Sequence, residues 1–125
     1  MNLDQLNVRG EFTIRESIEG WVFEMQDEFA DLDTISGHAQ GGFGLRGEDV
    51  VEFVRRSIHA MLDAGGVIMD RTQNEDYPLF LPTARFGTTR DAITEAVIAE
   101  WRARGGIEEP IGWGEYAFAM PDRHI

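Results

Sequence analysis

Two stretches of the chain carry polar residues at spacings that could support chemistry. In the first, Arg55, His59 and Asp63 follow one another at intervals of four residues, which places them on one face of a helix. His59 and Asp63 could bring two ligands to one metal ion, but a zinc site needs three or four and the sequence places no others. A surface ion pair is the simpler interpretation. The same three residues are candidates for an enzyme site assembled from dispersed residues.

The second stretch is glycine-rich and runs from Ser36 to Gly47, directly before a predicted helix. The backbone N–H groups of such a loop can bind phosphate at a helix N-terminus. This stretch lacks the Gly-Lys-Ser/Thr ending of a nucleotide-binding loop, and Glu48 and Asp49 would repel a phosphate at the start of the helix. We therefore predict a connecting loop over residues 36–47, without a bound nucleotide.

The densest group of ionisable side chains is acidic. Seven carboxylates and no basic residue lie in one short span: Glu16, Glu19, Glu24, Asp27, Glu28, Asp31 and Asp33. Like charges at this density repel one another unless counter-ions or a partner relieve them. The span is therefore either a solvated helix face or a docking surface for a basic protein. In a docking surface, Trp21 and Phe29 would supply aromatic anchors, because aromatic side chains often dominate interface energies.

The composition excludes several chemistries. The chain has no cysteine, which rules out disulfides, thiol nucleophiles and thiolate metal ligands. All 11 basic residues are arginine, so Schiff-base and nucleotide-binding lysines are ruled out as well. None of the three serines, Ser17, Ser36 and Ser57, lies in a Gly-x-Ser-x-Gly elbow. We expect no catalytic residue set, no metal and no cofactor.

Charge and hydropathy indicate the surroundings in which the protein works. With 11 basic and 23 acidic residues, the net charge is −12, which repels nucleic-acid phosphates and attracts basic proteins. Residues 1–10 contain no apolar run, and no stretch reaches the ~18 apolar residues of a membrane helix. The sequence predicts a cytoplasmic protein that contacts neither membranes nor nucleic acid directly. Arginine without lysine is typical of a GC-rich, bacterial genome.

Two amphipathic helices are predicted from the apolar periodicity. Residues 48–64 carry apolar side chains at three- and four-residue spacing. Residues 89–104 repeat the pattern, after a capping box formed by Thr88 and Asp91. A Gly-Gly pair follows each stretch and supplies a left-handed stop to the helix.

The N-terminal third fits two different structures. Thr13 and Glu16 have the spacing of a capping box, and apolar residues recur at helical intervals between Ile14 and Met25. Apolar residues also alternate with polar ones in this span, which would suit a β-hairpin. The many acidic residues favour a helix surface. From sequence alone, the choice between helix and hairpin over residues 12–30 stays open.

Short strands complete the predicted fold. The candidates are Val67–Asp70, Pro78–Leu81 and Glu115–Met120. Prolines bracket the second candidate, which indicates an edge strand because proline cannot donate to the ladder. Strands of this kind mixed with helices indicate an α+β protein. We predict a single small domain over residues 1–125, with two or three helices packed on a small, mainly antiparallel sheet.

The sequence is compatible with three hypotheses of function. The favoured one is a non-enzymatic acidic protein that neutralises a basic protein partner, in the way immunity proteins and antitoxins block basic toxins. Its support is the small size, the missing catalytic motif and the charge. The second is a DNA mimic that inhibits a nucleic-acid-binding complex and carries carboxylates spaced like phosphates. The third is the small enzyme built on His59, Asp63 and Arg55, which predicts that these side chains converge on a pocket.

Overall fold

The computed structural model describes residues 1–71 and 80–122, which form one layer of helices against a small sheet. In chain order the elements are α1 (Ile14–Glu24), β1 (Ala30–Asp31), α2 (Leu32–Gly37), a π-helical turn (His38–Gly42), α3 (Glu48–Asp63), β2 (Val67–Arg71), β3 (Phe80–Pro82), α4 (Arg90–Ala103) and β4 (Ala117–Ala119). All strand pairs are antiparallel, in the order β1–β4–β2–β3. The predicted α+β class is confirmed, and α2 adds one α-helix to the expected two or three.

Helix α3 is the centre of the hydrophobic core, because α1, α2 and α4 all pack against it. Its predicted apolar stripe is buried at Val50, Phe53, Val54, Ile58 and Met61, and half-buried at its last residue, Leu62. The same cluster includes Ala30, Ile68 and Phe118 from one face of the sheet. Ser57 is fully buried in the stripe, and its hydroxyl donates to the Phe53 carbonyl at 2.8 Å. The hydroxyl is therefore satisfied within its own helix.

The N-terminal third is helical, which decides between the two predicted structures. The Thr13 hydroxyl accepts from the Glu16 N–H at 3.1 Å, and the Glu16 carboxylate accepts from the Thr13 N–H at 2.9 Å. This reciprocal capping box starts α1 at Ile14. Helix α4 is capped one residue later than predicted, because the Thr89 hydroxyl, not that of Thr88, accepts from a helix N–H.

The glycine-rich segment differs from the prediction. A loop over residues 36–47 is wrong for the first part of that range, because α2 and the π-helical turn continue the chain helically as far as Gly42. The physical reason is the anchoring of Ala39, Phe43 and Leu45, which are 0%, 3% and 7% exposed. Burial of these three apolar side chains stabilises the helical structure by more than the conformational entropy of the neighbouring glycines opposes it.

The bounds of the strands differ from the predicted ones, and one strand was not foreseen. β2 occupies the predicted position, and β4 covers only the centre of Glu115–Met120. β3 overlaps the end of Pro78–Leu81 and lies at a sheet edge, as its prolines suggested; residues 78 and 79 lie outside the described residues. β1 consists of two residues, too few for an alternating pattern, and pairs Ala30 with Phe118.

The Gly-Gly pairs end α3 and α4 in the same way. Gly105 has φ +82°, a left-handed value that side chains disfavour, and its N–H donates to the Arg102 carbonyl at 2.9 Å. The Gly106 N–H donates to the Trp101 carbonyl at 2.9 Å, which completes a Schellman motif. A Cβ on Gly106 would also collide with the indole ring of Trp101. In this pair, Gly105 adopts the left-handed conformation that ends the helix, and Gly106 allows the backbone to pass close to the Trp101 ring.

Replacing Gly106 by alanine should destabilise the protein, because the added methyl group overlaps the Trp101 ring. Overpacking of a core costs roughly 1–3 kcal/mol. We expect a loss of that size in the free energy of unfolding, measured by urea denaturation. Gly41→Ala is the matched control, because a Cβ there meets nothing within 4 Å, and it should change stability by less than ~0.5 kcal/mol. Equal losses in the two variants would contradict the packing role of Gly106.

Candidate functional site

The acidic span folds into one continuous surface segment formed by α1, the turn after it and α2. The buried side of α1 carries Ile14, Ile18 and Trp21, so the other side of the helix faces solvent. The carboxylates of the span that lie on the surface are Glu16, Glu19, Asp27 and Glu28, which are exposed, and Glu24, which is half-buried. The predicted aromatic anchor Trp21 therefore lies on the buried side of α1, while Glu19 lies on its exposed side.

A groove of about 260 Å³ runs along α1, and we call it the α1 groove. Its lining residues are Phe12, Glu16, Ser17, Gly20, Trp21, Glu24 and His38. A Cβ on Gly20 would have nothing within 4 Å, so this glycine leaves the middle of the groove open. The result is an apolar floor with carboxylates on its rim, a combination that suits a long cationic side chain.

The floor of the α1 groove is an aromatic pair. The Trp21 and His38 rings are 5.0 Å apart and nearly perpendicular, at 89°. Trp21 is only 4% exposed, and its indole N–H has no hydrogen-bond partner among the described residues. The anchor role predicted for Trp21 stays a prediction, and its position is that of a groove floor rather than of a projecting side chain.

The pKa of Glu24 reflects its partial burial and the negative charges around it. Its pKa is raised above the usual 4.5, mainly because burial disfavours the charged form, and then because Glu28 and Asp31 lie nearby. His38 acts in the opposite direction. Among the described residues no arginine reaches ion-pair distance of Glu24, so the carboxylate lacks the usual compensation.

A second groove, of about 240 Å³, lies on the other side of the α2 backbone, and we call it the α2 groove. It is lined by Asp33, Ser36, Gly37, Gln40, Gly106, Ile107, Glu108, Glu109 and Pro110. The two grooves are neighbours, because Gly37 lines one and His38 lines the other. The amide of Gln40 joins the walls by donating to the Ser36 hydroxyl at 3.0 Å and to the Ile107 carbonyl at 2.9 Å.

Glu108 and Glu109 extend the acidic surface from a turn that is distant from α1 and α2 in the sequence. They are exposed and form the far rim of the α2 groove. About 75 residues of sequence separate them from Asp33, so no local pattern could place the three carboxylates in one groove. The preceding Gly-Gly stop is the only local signal, since it directs the chain back toward α2.

Asp31 and Asp33 are bonded to the protein's own backbone. Asp31 caps α2 by accepting from the Thr34 N–H at 2.9 Å, and its other oxygen accepts from the Gly114 N–H at 3.4 Å. Asp33 accepts from the N–H groups of Ile111 and Gly112, both at 2.9 Å. These two carboxylates hold the 111–114 turn against α2, and their predicted docking role stays a prediction.

The aromatic side chains that reach solvent differ from the two that were predicted. Phe29 is half-buried and stacks on Phe80 at a ring distance of 4.4 Å. Among the described residues, the exposed large aromatic side chains are instead those of Phe23, at 78%, and Trp113, at 67%. Trp113 stands between two glycines, a context that indicates a turn but does not reveal which way its side chain faces.

Arginine side chains are concentrated around α3 and α4, where they neutralise the local carboxylates. Six acidic residues of these helices lie 2.7–3.2 Å from an arginine nitrogen: Glu48, Glu52, Asp63, Asp91, Glu95 and Glu100. Arg55 is the centre of this network, because hydrogen bonds to Glu95 and Glu52 raise its pKa. Within the described residues, the rim carboxylates of the two grooves that have no ion-pair partner are Glu16, Glu24, Glu108 and Glu109.

The residues named for the enzyme hypothesis do not share a partner. His59 Nε2 lies 3.7 Å from the Asp91 carboxylate, and Asp63 bonds instead to Arg90 at 3.1 Å. The predicted ion pair between His59 and Asp63 is therefore wrong, although Glu52 and Arg56, which have the same four-residue spacing, do form a pair at 3.0 Å. Because none of the three candidates lines either groove, the convergence required by that hypothesis is not observed there.

Removing the Asp33 carboxylate should destabilise the fold, because Asp33→Ala leaves two backbone N–H groups without their acceptor. An unsatisfied, partly buried donor costs roughly 1–3 kcal/mol. We expect a loss in that range in urea denaturation. Glu108→Ala is the control from the same groove, because its exposed carboxylate makes no such bond, and it should change stability by less than ~0.5 kcal/mol. A similar stability for both variants would contradict the structural role of Asp33.

Neutralising Glu24 should stabilise the protein at neutral pH. A raised pKa means that the folded state binds the proton more tightly than the unfolded state does, so stability falls as the pH rises through this pKa. Glu24→Gln should therefore be more stable than the wild type at pH 7. The difference should disappear below pH ~4, where Glu24 is protonated in both the folded and the unfolded protein. Thermal denaturation across this pH range checks the expectation. Glu19→Gln controls for removal of a charge from α1, and the same pH-dependent gain in both variants would contradict it.

In the described residues, no helix is both long enough and apolar enough to span a membrane. The same residues contain no group of three or more His, Cys, Asp or Glu side chains arranged to hold a metal ion. No protein-family model matches the chain, and comparison with curated proteins and with solved structures found no match.

Proposed function

We propose that the protein is a non-enzymatic, cytoplasmic binding protein that neutralises a basic protein partner through the α1 and α2 grooves. The observation that carries the proposal is the distribution of ion pairs. Six of the seven carboxylates of α3 and α4 are bonded to arginines, with Asp49 as the exception, while Glu16, Glu24, Glu108 and Glu109 face two open grooves without such a partner among the described residues. A surface of this kind gains free energy when a partner supplies the missing cations.

The size of the grooves favours a protein partner over a small molecule. Each holds about 240–260 Å³, below the roughly 300–1,000 Å³ of most small-molecule sites. Such a groove accommodates a single long side chain, and two neighbouring grooves could accept two side chains of one segment. Arginine and lysine fit this description, because their apolar stems can lie on the groove floor while the charged ends reach the rim.

The net charge of −12 supports the same proposal through kinetics. An excess of negative charge raises the encounter rate with a basic protein, and the effect falls as salt screens the charges. Rapid capture is what a protein that neutralises a basic toxin requires, and we propose an immunity-protein or antitoxin role on that ground. A DNA mimic would also bind a basic protein, but its partner would have to release nucleic acid on binding.

Capture with matched baits tests the proposal. The groove variant is Glu24→Gln/Glu108→Gln/Glu109→Gln, and the control variant is Asp49→Asn/Asp63→Asn/Glu95→Gln on α3 and α4. Each replaces three carboxylates and so changes the net charge from −12 to −9. Wild-type protein and both variants are immobilised, exposed to lysate of the source cell at low and high salt, and the retained proteins are identified by mass spectrometry.

We expect the wild type and the control variant to retain the same basic protein at low salt, and the groove variant to retain it roughly tenfold less. Retention that depends on net charge alone, with equal losses in both variants, would contradict the assignment of the grooves. Retention of no basic protein by the wild type would overturn the proposal itself. Adding duplex DNA during capture separates the two kinds of partner, because only a nucleic-acid-binding protein would be competed away.

A further inference from the structure

Trp113 is an exposed aromatic side chain in a chain that otherwise buries its tryptophans. It is 67% exposed, whereas Trp21 and Trp101 are 4% and 0% exposed. Its ring touches Phe80 nearly perpendicularly, with the centroids 5.5 Å apart at 88°, so much of its area remains open. Tryptophan is among the residues most often found at the energetic centre of protein interfaces.

The backbone around Trp113 is held by hydrogen bonds from both sides. Asp33 binds the N–H groups of the two residues before it, and Asp31 binds the N–H of Gly114 directly after it. Arg71 donates to the Trp113 carbonyl at 3.4 Å. An exposed side chain on a restrained backbone loses less conformational entropy when it binds a partner, which is how an anchor residue gains affinity.

The turn also contains conformations that are unfavourable on their own. Tyr116 has φ +54°, a left-handed value that is costly for a residue with a side chain. Gly114 has φ +79°, and a Cβ there would lie 2.7 Å from the Phe80 ring. Strained backbone persists only where the surroundings fix it, and such positions cluster at functional sites. Here the strain lies within three residues of the exposed tryptophan.

We infer that Trp113 is the aromatic anchor of the acidic surface and receives an arginine side chain of the basic partner on its ring. This inference rests on the proposed function and names the chemistry that the partner must present. Charge complementarity selects the occupant, because Trp113 ends the loop that carries Glu108 and Glu109 and that Asp33 ties to the α2 groove. A guanidinium stacks on an indole ring better than an ammonium does, because it is planar and more weakly hydrated.

Phe23, which is more exposed than Trp113, is not an equivalent anchor. It lies on α1, whereas Trp113 ends the loop that carries two rim carboxylates of the α2 groove, Glu108 and Glu109. Single exposed apolar residues such as Phe23 are common on protein surfaces. Phe23→Ala therefore serves as the matched control for removing one exposed ring from the same acidic surface.

Binding of two labelled peptides, one of nine arginines and one of nine lysines, tests the inference by fluorescence anisotropy at low salt. The proteins compared are the wild type, Trp113→Ala, Trp113→Phe, Phe23→Ala and the groove variant. We expect Trp113→Ala to bind the arginine peptide roughly two- to five-fold more weakly and the lysine peptide with a smaller loss. Trp113→Phe should be intermediate, and Phe23→Ala should resemble the wild type.

A direct readout comes from the emission of Trp113 itself, because the other two tryptophans are buried. Bound arginine peptide should protect the wild-type emission from acrylamide, and this protection should be lost in Trp113→Phe. Circular dichroism verifies that the variants are folded, as the exposure of Trp113 leads us to expect.

The outcomes separate this inference from the proposed function. If the wild type binds both peptides and the groove variant loses both equally, while Trp113→Ala binds like the wild type, the anchor is overturned and the acidic surface stands. If the wild type binds neither peptide in a salt-dependent manner, the anchor and the proposed function are both overturned.

Discussion

The hydrogen bonds that Asp31 and Asp33 make to the backbone of residues 111–114 join parts of the chain that are 78–83 residues apart in sequence. They place the turn before β4 against the start of α2, next to the pairing of β1 with β4. The α2 groove exists because this connection brings residues 106–110 beside α2. The fold of the sheet edge, the shape of the groove and the position of Trp113 therefore depend on the same two carboxylates.

The charges of the protein are divided by helix. Around α3 and α4, ion pairs such as Arg55–Glu95 and Arg102–Glu48 cross between the helices and leave little net field. Exposed pairs of this kind contribute only modestly to stability. Their larger effect is that, among the described residues, the carboxylates without an ion pair lie mainly on α1, on α2 and in the residue 108–109 turn, with Asp49 as an exception on α3. Burial is the main cause of the raised pKa of Glu24, and the nearby carboxylates of Glu28 and Asp31 add to it.

The sequence predicted those parts of the fold that depend on local patterns. The stripe from Val50 to Met61 and the Thr13–Glu16 capping box are such patterns, and both are present in the structure. The loop predicted over residues 36–47 is wrong for the first part of that range, because burial of the anchors Phe43 and Leu45 determines the structure more than the glycine-rich composition does. Short strands such as β1 depend on pairing with distant residues and leave no periodic signal.

The candidate surface was less accessible to prediction than the fold. The burial of Trp21 could have been foreseen, because with Ile14 and Ile18 it repeats the helical spacing of an apolar face. The backbone partners of Asp33 could not, because they depend on tertiary structure. The exposure of Trp113 could not be foreseen either, since the two glycines beside it predict a turn but do not determine which way the side chain faces.

The concentration of ion-paired arginines around α3 and α4 has a consequence for the molecule as a whole. A body with a negative surface on one side and a nearly neutral one on the other has an electric dipole moment in addition to its net charge. In the field of a basic protein this dipole experiences a torque that turns the acidic side forward before contact. Screening limits the effect to separations of about 8 Å at physiological salt, so the final approach would already be oriented. The ion pairs of α3 and α4 do not contact the partner themselves. They would nevertheless determine which side of the protein faces a basic partner as it approaches.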